Sequence, residues 1–237
     1  MRRTGKVLVT GVLLADEENH AIPISSELAA SRDWTVDQRW AAIGNDQSAR
    51  SSLRLAWWSP QGEPKFSVIN QLLAGVNLEE YDFLIVVDDD IDLPGSFLDK
   101  YLELLERFDF ALAQPARTHD SYVDHAFVEQ LDGITARQTL FVEIGPLFSI
   151  RRDAILLLTP FDMTSPMGWG YDFAWPTVIT SAGLKMGIID GLPVRHALRK
   201  PVSNYAHSEA SSDMVRYLSN RKHLQKTDAF RVVNSFL

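Results

Sequence analysis

The chain has 237 residues, 46% hydrophobic and 23% charged, enough for one large core or two small ones, and its net charge of −8 argues against a general nucleic-acid binder while leaving room for a local basic pocket that takes one diphosphate. It has no cysteine, which excludes a disulfide framework, a thiolate zinc site and a cysteine nucleophile. No apolar run approaches the roughly 20 residues of a membrane span, and the basic start Met1-Arg2-Arg3 leads to no cleavage site, so cytoplasmic placement is the default expectation.

Residues 6–14 (KVLVTGVLL) predict a first strand, followed by a polar loop at 16–20 and a short helix over 25–31. A second strand is expected at 39–43, ending in the turn signal Gly44-Asn45-Asp46. After a Pro/Gly-containing loop at 57–64, Phe66, Ile69, Leu72 and Leu73 recur at helical spacing over 66–76. The short, β-branched run 83–87 suits a central strand covered on both faces. Pro94 and the spacing of Phe97, Tyr101, Leu102 and Leu105 mark a helix ending near Phe108. Residues 110–114 read as strand, 116–138 as loop with some helix, 140–150 as strand and 152–159 as helix. A Gly/Pro-rich loop at 163–170, a helix over 175–183, a strand at 186–190 and a mostly helical, polar tail from 209 complete the chain. No internal repeat or linker interrupts it, so strands alternating with helices predict one α/β domain with a mainly parallel twisted sheet flanked by helices.

Three constellations carry chemistry. Asp88, Asp89 and Asp90 stand where the 83–87 strand emerges, at the edge where open α/β sheets bind ligands. Three adjacent carboxylates repel one another, and a hard cation with oxygen ligands, shared with a phosphate, suits them. A solvated turn that caps the next helix is the alternative. In Gly168-Trp169-Gly170-Tyr171-Asp172 the glycines allow close backbone approach to a ligand and Trp169 supplies a flat apolar wall, as sugar rings often require. Asp172 is then either a general base or a helix-capping carboxylate. Finally, the strand-like 186–190 segment leads to His196, a candidate metal-binding imidazole or a structural histidine. Arg199 and Lys200 follow it, as cations for a diphosphate leaving group or as a solvated pair.

Together these segments resemble nucleotide-sugar glycosyltransferases of the GT-A fold. A closer resemblance, over roughly residues 65–200, is to an uncharacterised set of glycosyltransferase-like proteins known as domain of unknown function 707. It is carried by the 81–91 run, Tyr101-Leu102-Glu103, Ala113-Gln114-Pro115-Ala116, residues 141–149, Gly168 to Asp172 and Gly187 to His196. The chain lacks a cysteine-containing segment found before the Val142-Glu143 stretch in some of that set. The resemblance implies a nucleotide-sugar half over about 1–115, an acceptor half over about 116–200 and a C-terminal helical tail over about 201–237. It implies a metal-dependent hexosyltransferase using Mn²⁺ or Mg²⁺ and a nucleotide-diphosphate sugar, a UDP-sugar being favoured.

On that reading Asp90 and His196 hold the metal, Asp88 contacts it or the ribose, and Asp172 is the base of an inverting transfer. Asp89, Lys65, Arg199 and Lys200 lie toward the donor, with Asn70 or Gln71 near its nucleotide, and Trp169, Gly170, Glu143 and Gln114 lie toward the acceptor. The alternative for Glu143 is pairing with an arginine, because a buried carboxylate needs a partner. Trp57 and Trp58 are a recognition surface or hydrophobic anchors. Two other functions compete. Asp88-x-Asp90 after a strand also resembles the nucleophile motif of haloacid-dehalogenase-type phosphatases, although here it lies far from the first strand and Asp92 replaces the usual helper. A nucleotide-sugar-binding protein without turnover is the other.

Overall fold

The apolar segments become strands of one sheet, and the amphipathic segments between them become the helices that cover it. The computed structural model describes residues 5–46, 53–59, 62–200 and 207–237. In chain order they form β1 (Gly5–Leu14), α1 (Ala21–Ala29), β2 (Trp34–Ile43), β3 (Leu55–Ser59), α2 (Lys65–Leu73), β4 (Phe83–Asp88) and α3 (Phe97–Phe108). There follow β5 (Phe110–Arg117), β6 (Ala136–Thr139), β7 (Leu147–Arg151), α4 (Arg152–Leu158), α5 (Tyr171–Ser181) and β8 (Lys185–Val194). The chain ends with α6 (His207–Ser219), α7 (Lys226–Ala229) and β9 (Val232–Phe236).

Among the described residues the sheet has nine strands in the order β3-β2-β1-β4-β7-β5-β8-β6-β9. β1 pairs in parallel with β2 and β4, β2 with β3 and β5 with β8, whereas β7 and β6 oppose their neighbours. The sheet is mainly parallel with two reversed members, and the parallel strands β1, β2 and β4 end at one carboxyl edge.

Alternate residues of a strand face opposite ways. Val7, Val9 and Leu13 of β1, with Phe83, Ile85 and Val87 of β4, pack with residues of α1 and α3. Leu8 and Val12, with Leu84 and Val86, pack with residues of α2, α4 and α5. Burial on both faces is why these strands read as continuous apolar runs. On α3 the buried residues Phe97, Leu98, Tyr101, Leu102, Leu105 and Phe108 form the stripe that its spacing predicts.

Several boundaries differ from expectation. β2 starts at Trp34, where Thr35, Asp37 and Arg39 interleave with the half-buried Trp34 and Val36 and mask the strand. β3 replaces part of the expected 57–64 loop, as an edge strand paired with β2. The expected 140–150 strand is β7 preceded by a loop, and β6 emerges from the stretch read as loop and helix. The tail adds β9, which pairs with β6, because Phe236 stacks on Phe108 at 4.5 Å.

Gly187 of β8 shows how closely the elements approach. A Cβ there would lie 2.4 Å from the carbonyl oxygen of Arg137 on β6 and 2.4 Å from the Phe110 ring. Backbone cannot give way as a flexible side chain can, so Gly187→Ala is expected to cost about 1–3 kcal/mol, the range for overpacking. Urea denaturation would measure it, and an unchanged midpoint would contradict this packing.

Candidate active site

The ends of β1, β2 and β4 are tied together by backbone. Ala15 donates to the Ile43 carbonyl at 2.7 Å and His20 to that of Asp89 at 2.6 Å. Asp16 accepts the N–H groups of Asn45 and Asp46, both at 2.8 Å. Above this edge the three aspartates diverge. Asp88 continues the side of β4 that carries Leu84 and Val86 and meets α2, so its carboxylate pairs with Lys65 Nζ at 2.7 and 2.8 Å. Lys65 also donates to the Ile144 carbonyl at 3.2 Å. Asp89 turns inward, 2% exposed, accepts the Leu14 N–H at 2.7 Å and pairs with Arg199. Burial lifts its pKa to about 6 against the pull of Arg199. Arg199 in turn donates to the Glu18 carbonyl at 2.6 Å.

Asp90 meets His196 across the sheet edge. Just beyond β4, Asp92 forms an antiparallel bridge with Arg195, donating to its carbonyl at 2.8 Å. The bridge delivers the next residue, His196, whose Nε2 lies 3.3 Å from Asp90 Oδ2, with Arg199 Nη2 at 3.5 Å. Burial pushes the Asp90 carboxyl up, but His196 and Arg199 outweigh it and hold it below the ordinary range. Asp90 Oδ1 is buried without a hydrogen-bond partner. An oxygen ligand, an imidazole and an unfilled acceptor fit a divalent cation that takes its remaining ligands from phosphate and water. Among the described residues no group of three or more histidines and carboxylates is arranged for a metal. Asp90 and His196 meet here, whereas the Asp88 carboxylate, expected to contact the metal or the ribose, pairs with Lys65.

A second carboxylate cluster lies beside the first. Arg117, the last residue of β5 and fully buried, donates to the carbonyls of Pro115 at 3.0 Å and of Gly145, and stands 3.4 Å from Glu143 Oε2. Gln114 Oε1 accepts the Glu143 N–H while its Nε2 faces the Pro115 carbonyl at 3.4 Å. Gln114, expected to read a sugar hydroxyl, instead braces the Glu143 backbone. Asp172 lies in the first turn of α5. Glu143 and Asp172 are each 9% exposed, and Glu143 Oε1 and Asp172 Oδ1 are both buried without partners. Desolvation raises both carboxyls to about 7; Arg117 opposes the shift at Glu143, and repulsion from Glu143 adds to it at Asp172. Arg117 went unnoticed in the sequence. Its signal was a cation closing the otherwise uncharged strand Phe110–Arg117, whose every residue is buried.

The remaining predicted residues are placed differently. Gly168 and Gly170 have positive φ, 83° and 93°, but the close approach is to protein. A Cβ on Gly168 would meet the Phe66 ring at 2.2 Å, and one on Gly170 would meet Leu218 of α6 at 3.2 Å. The glycines therefore admit packing neighbours where a ligand was expected. Trp169 is half-buried, edge-on to His207 with ring centroids 5.6 Å apart. Asn70 brackets the Phe161 backbone, donating to its carbonyl at 2.8 Å and accepting its N–H at 2.9 Å, while Gln71, Trp57 and Lys200 are exposed. An open cleft of about 730 Å³ lies at the opposite, amino edge against Gly5, Trp34, Phe83 and Arg151 and contains none of these site residues.

No protein-family model matches the sequence, and a comparison with curated proteins finds no match either. Solved structures do resemble it. GalNAc-T7, crystallised with UDP, GalNAc and Mn²⁺, superposes with a TM-score of 0.62 at 12% identity over 90% of this chain and 48% of its own. S. aureus TarS in complex with UDP-GlcNAc gives 0.58 at 15% identity over 94% of this chain and 68% of its own. The mannosyltransferase PcManGT from Pyrobaculum calidifontis, with GDP-Man and Mn²⁺, gives 0.58 at 14% identity over 91% and 65%. This chain spans about half the length of the first of these. Among the described residues no helix is long and apolar enough to cross a membrane. The fold is the GT-A-like α/β fold that these nucleotide-sugar transferase structures share.

Proposed function

We propose that the chain is a glycosyltransferase that moves a sugar from a nucleotide-diphosphate sugar, a UDP-sugar by preference, to an acceptor hydroxyl with inversion. The observation that carries this reading is the meeting of Asp90, His196 and Arg199 at the carboxyl edge of a GT-A-like sheet, next to two buried carboxylates with unfilled oxygens. The resemblance of its motifs to the domain of unknown function 707 set is in keeping with it.

The proposed donor groups come from the first half of the chain and from the segment around His196, and the acceptor groups from about 116–200. Asp90 and His196 are the residues to hold Mn²⁺ or Mg²⁺, which when bound would offset charge on the leaving diphosphate. Arg199 lies within reach of Asp90 and adds a fixed positive charge for the same oxygens. Lys65, half-buried on Asp88, supplies another cation and opposes the burial that raises the Asp88 carboxyl, with Asp88 directed toward the ribose. Asp172, with one oxygen unpaired in a water-poor site, accepts the proton of the acceptor hydroxyl as the new glycosidic C–O bond forms. The C–O bond to the diphosphate breaks on the opposite face, and its electron pair leaves with the nucleotide.

A thermal-shift panel of UDP- and GDP-sugars with and without Mn²⁺ tests the reading, because a ligand that binds only the folded chain raises its midpoint by mass action. Asp90→Asn is expected to weaken metal-dependent donor binding by about tenfold or more in calorimetry, since it removes a charged oxygen from a hard cation. Donor binding that ignores both Mn²⁺ and this substitution would sink the metal assignment.

A further inference from the structure

His196 lies two residues past the end of β8 and belongs to no strand or helix. Its place beside Asp90 therefore depends on what grips Arg195 and His196 from outside. The segment after β4 holds one side: Asp92 donates to the Arg195 carbonyl at 2.8 Å, and Arg195 to that of Asp92 at 3.3 Å. A turn over 118–122 holds the other. The His196 N–H donates to Ser121 Oγ at 3.0 Å, and the Tyr122 N–H donates to the His196 carbonyl at 2.7 Å.

The Arg195 side chain crosses between these two sides. Its Nε donates to Asp120 Oδ2 at 2.7 Å and its Nη1 to Asp92 Oδ2 at 3.3 Å. Each carboxylate is tied down further. Thr118 Oγ1 donates to Asp120 Oδ1 at 2.6 Å and stands 2.9 Å from Ser121 Oγ, the atom that receives the His196 N–H. Asp92 Oδ1 lies 2.8 Å from His20 Nδ1, close but not aligned for a hydrogen bond. The ion pairs of Arg195 are largely exposed, so each adds little to folding stability. What they fix is the direction of the chain on either side of the imidazole.

We propose, resting on the metal assignment above, that Arg195 is a positioning residue. It staples the 118–122 turn to the segment after β4 and so holds the His196 imidazole toward Asp90. The sign of its effect separates this role from a charge effect. Arg195 is a cation beside a proposed cation site, so by Coulomb energy alone its loss should tighten a divalent metal. Loss of a positioning contact should weaken the metal, because the imidazole is no longer held in the direction that meets Asp90.

The test uses the chain without donor or acceptor and Mn²⁺ alone as ligand. Arg195→Met should weaken Mn²⁺ binding in calorimetry by about tenfold, the lower end of the range for groups that orient a metal ligand. Its urea midpoint should stay near that of wild type. Arg195→Lys keeps the charge but not the fork and should fall between the two. In a His196→Ala background Arg195→Met should have no further effect, since a residue acting through His196 is not additive with it. Metal-free NMR gives a second readout. The Tyr122 and His196 rings stand edge-on with centroids 6.4 Å apart, and the NOE between their ring protons should weaken in Arg195→Met. Unchanged or tighter Mn²⁺ binding in that variant, additivity with His196→Ala, or an unchanged NOE would overturn the positioning role. A wild type that ignores Mn²⁺, with an NOE that still weakens on substitution, would sink the metal assignment while supporting the hold of Arg195 on His196.

Discussion

Asp172→Asn is expected to lower sugar-transfer turnover by roughly 10²–10⁴-fold, the range for loss of a general base, while donor affinity stays near that of the wild type. The proposed donor groups are Asp90, His196 and Arg199, whereas Asp172 lies in the first turn of α5, next to Phe173, which packs on Phe141. The substitution is nearly isosteric and removes a carboxyl that burial forces up to about 7. The variant should therefore be at least as stable as wild type at pH 8 and lose any advantage near pH 4, where the native carboxyl is already protonated. A transfer assay beside calorimetry of donor binding decides the outcome, because a kcat loss without a change in donor Kd isolates a transition-state role. Full activity in Asp172→Asn would make Asp172 a helix-capping residue and shift the choice to Glu143 or a retaining mechanism.

Arg117→Met should cost about 3–5 kcal/mol of folding stability, the penalty for stranding one partner of a buried pair. Methionine fills much of the space but leaves Glu143 without its cation and the Pro115 and Gly145 carbonyls without their donor. The double variant Arg117→Met/Glu143→Gln should recover part of that loss, and a double-mutant cycle from urea midpoints gives the coupling. Simple additivity would show that Arg117 serves the carbonyls alone. The loop before β7 also carries Ile144, whose carbonyl accepts from Lys65, so the single variant should loosen the Lys65–Asp88 pair as well.

Period and composition were enough to place most of the scaffold. A strand buried on both faces must be apolar without interruption, and a helix on one face must repeat its apolar residues every three or four, so 6–14, 83–87 and 97–108 declare themselves. The reach of the aspartate run beyond a central strand was legible for the same reason. Edge strands were not: β3 and β9 have few neighbours to impose a pattern, and exposed Val232 and Val233 in β9 look like any polar tail's occasional valines. Which aspartate faces which partner also lies outside local sequence. Asp88 and Asp89 differ only by strand alternation, and their cations, Lys65 and Arg199, come from 23 and 110 residues away. The bridge between Asp92 and Arg195 brings His196 to Asp90, and packing of Phe141 on Phe173 brings together the segments that carry Glu143 and Asp172. Residue types told which chemistry was available. Only the folded chain decided which charges are buried together, because desolvation and Coulomb energy depend on distance in space, not along the sequence.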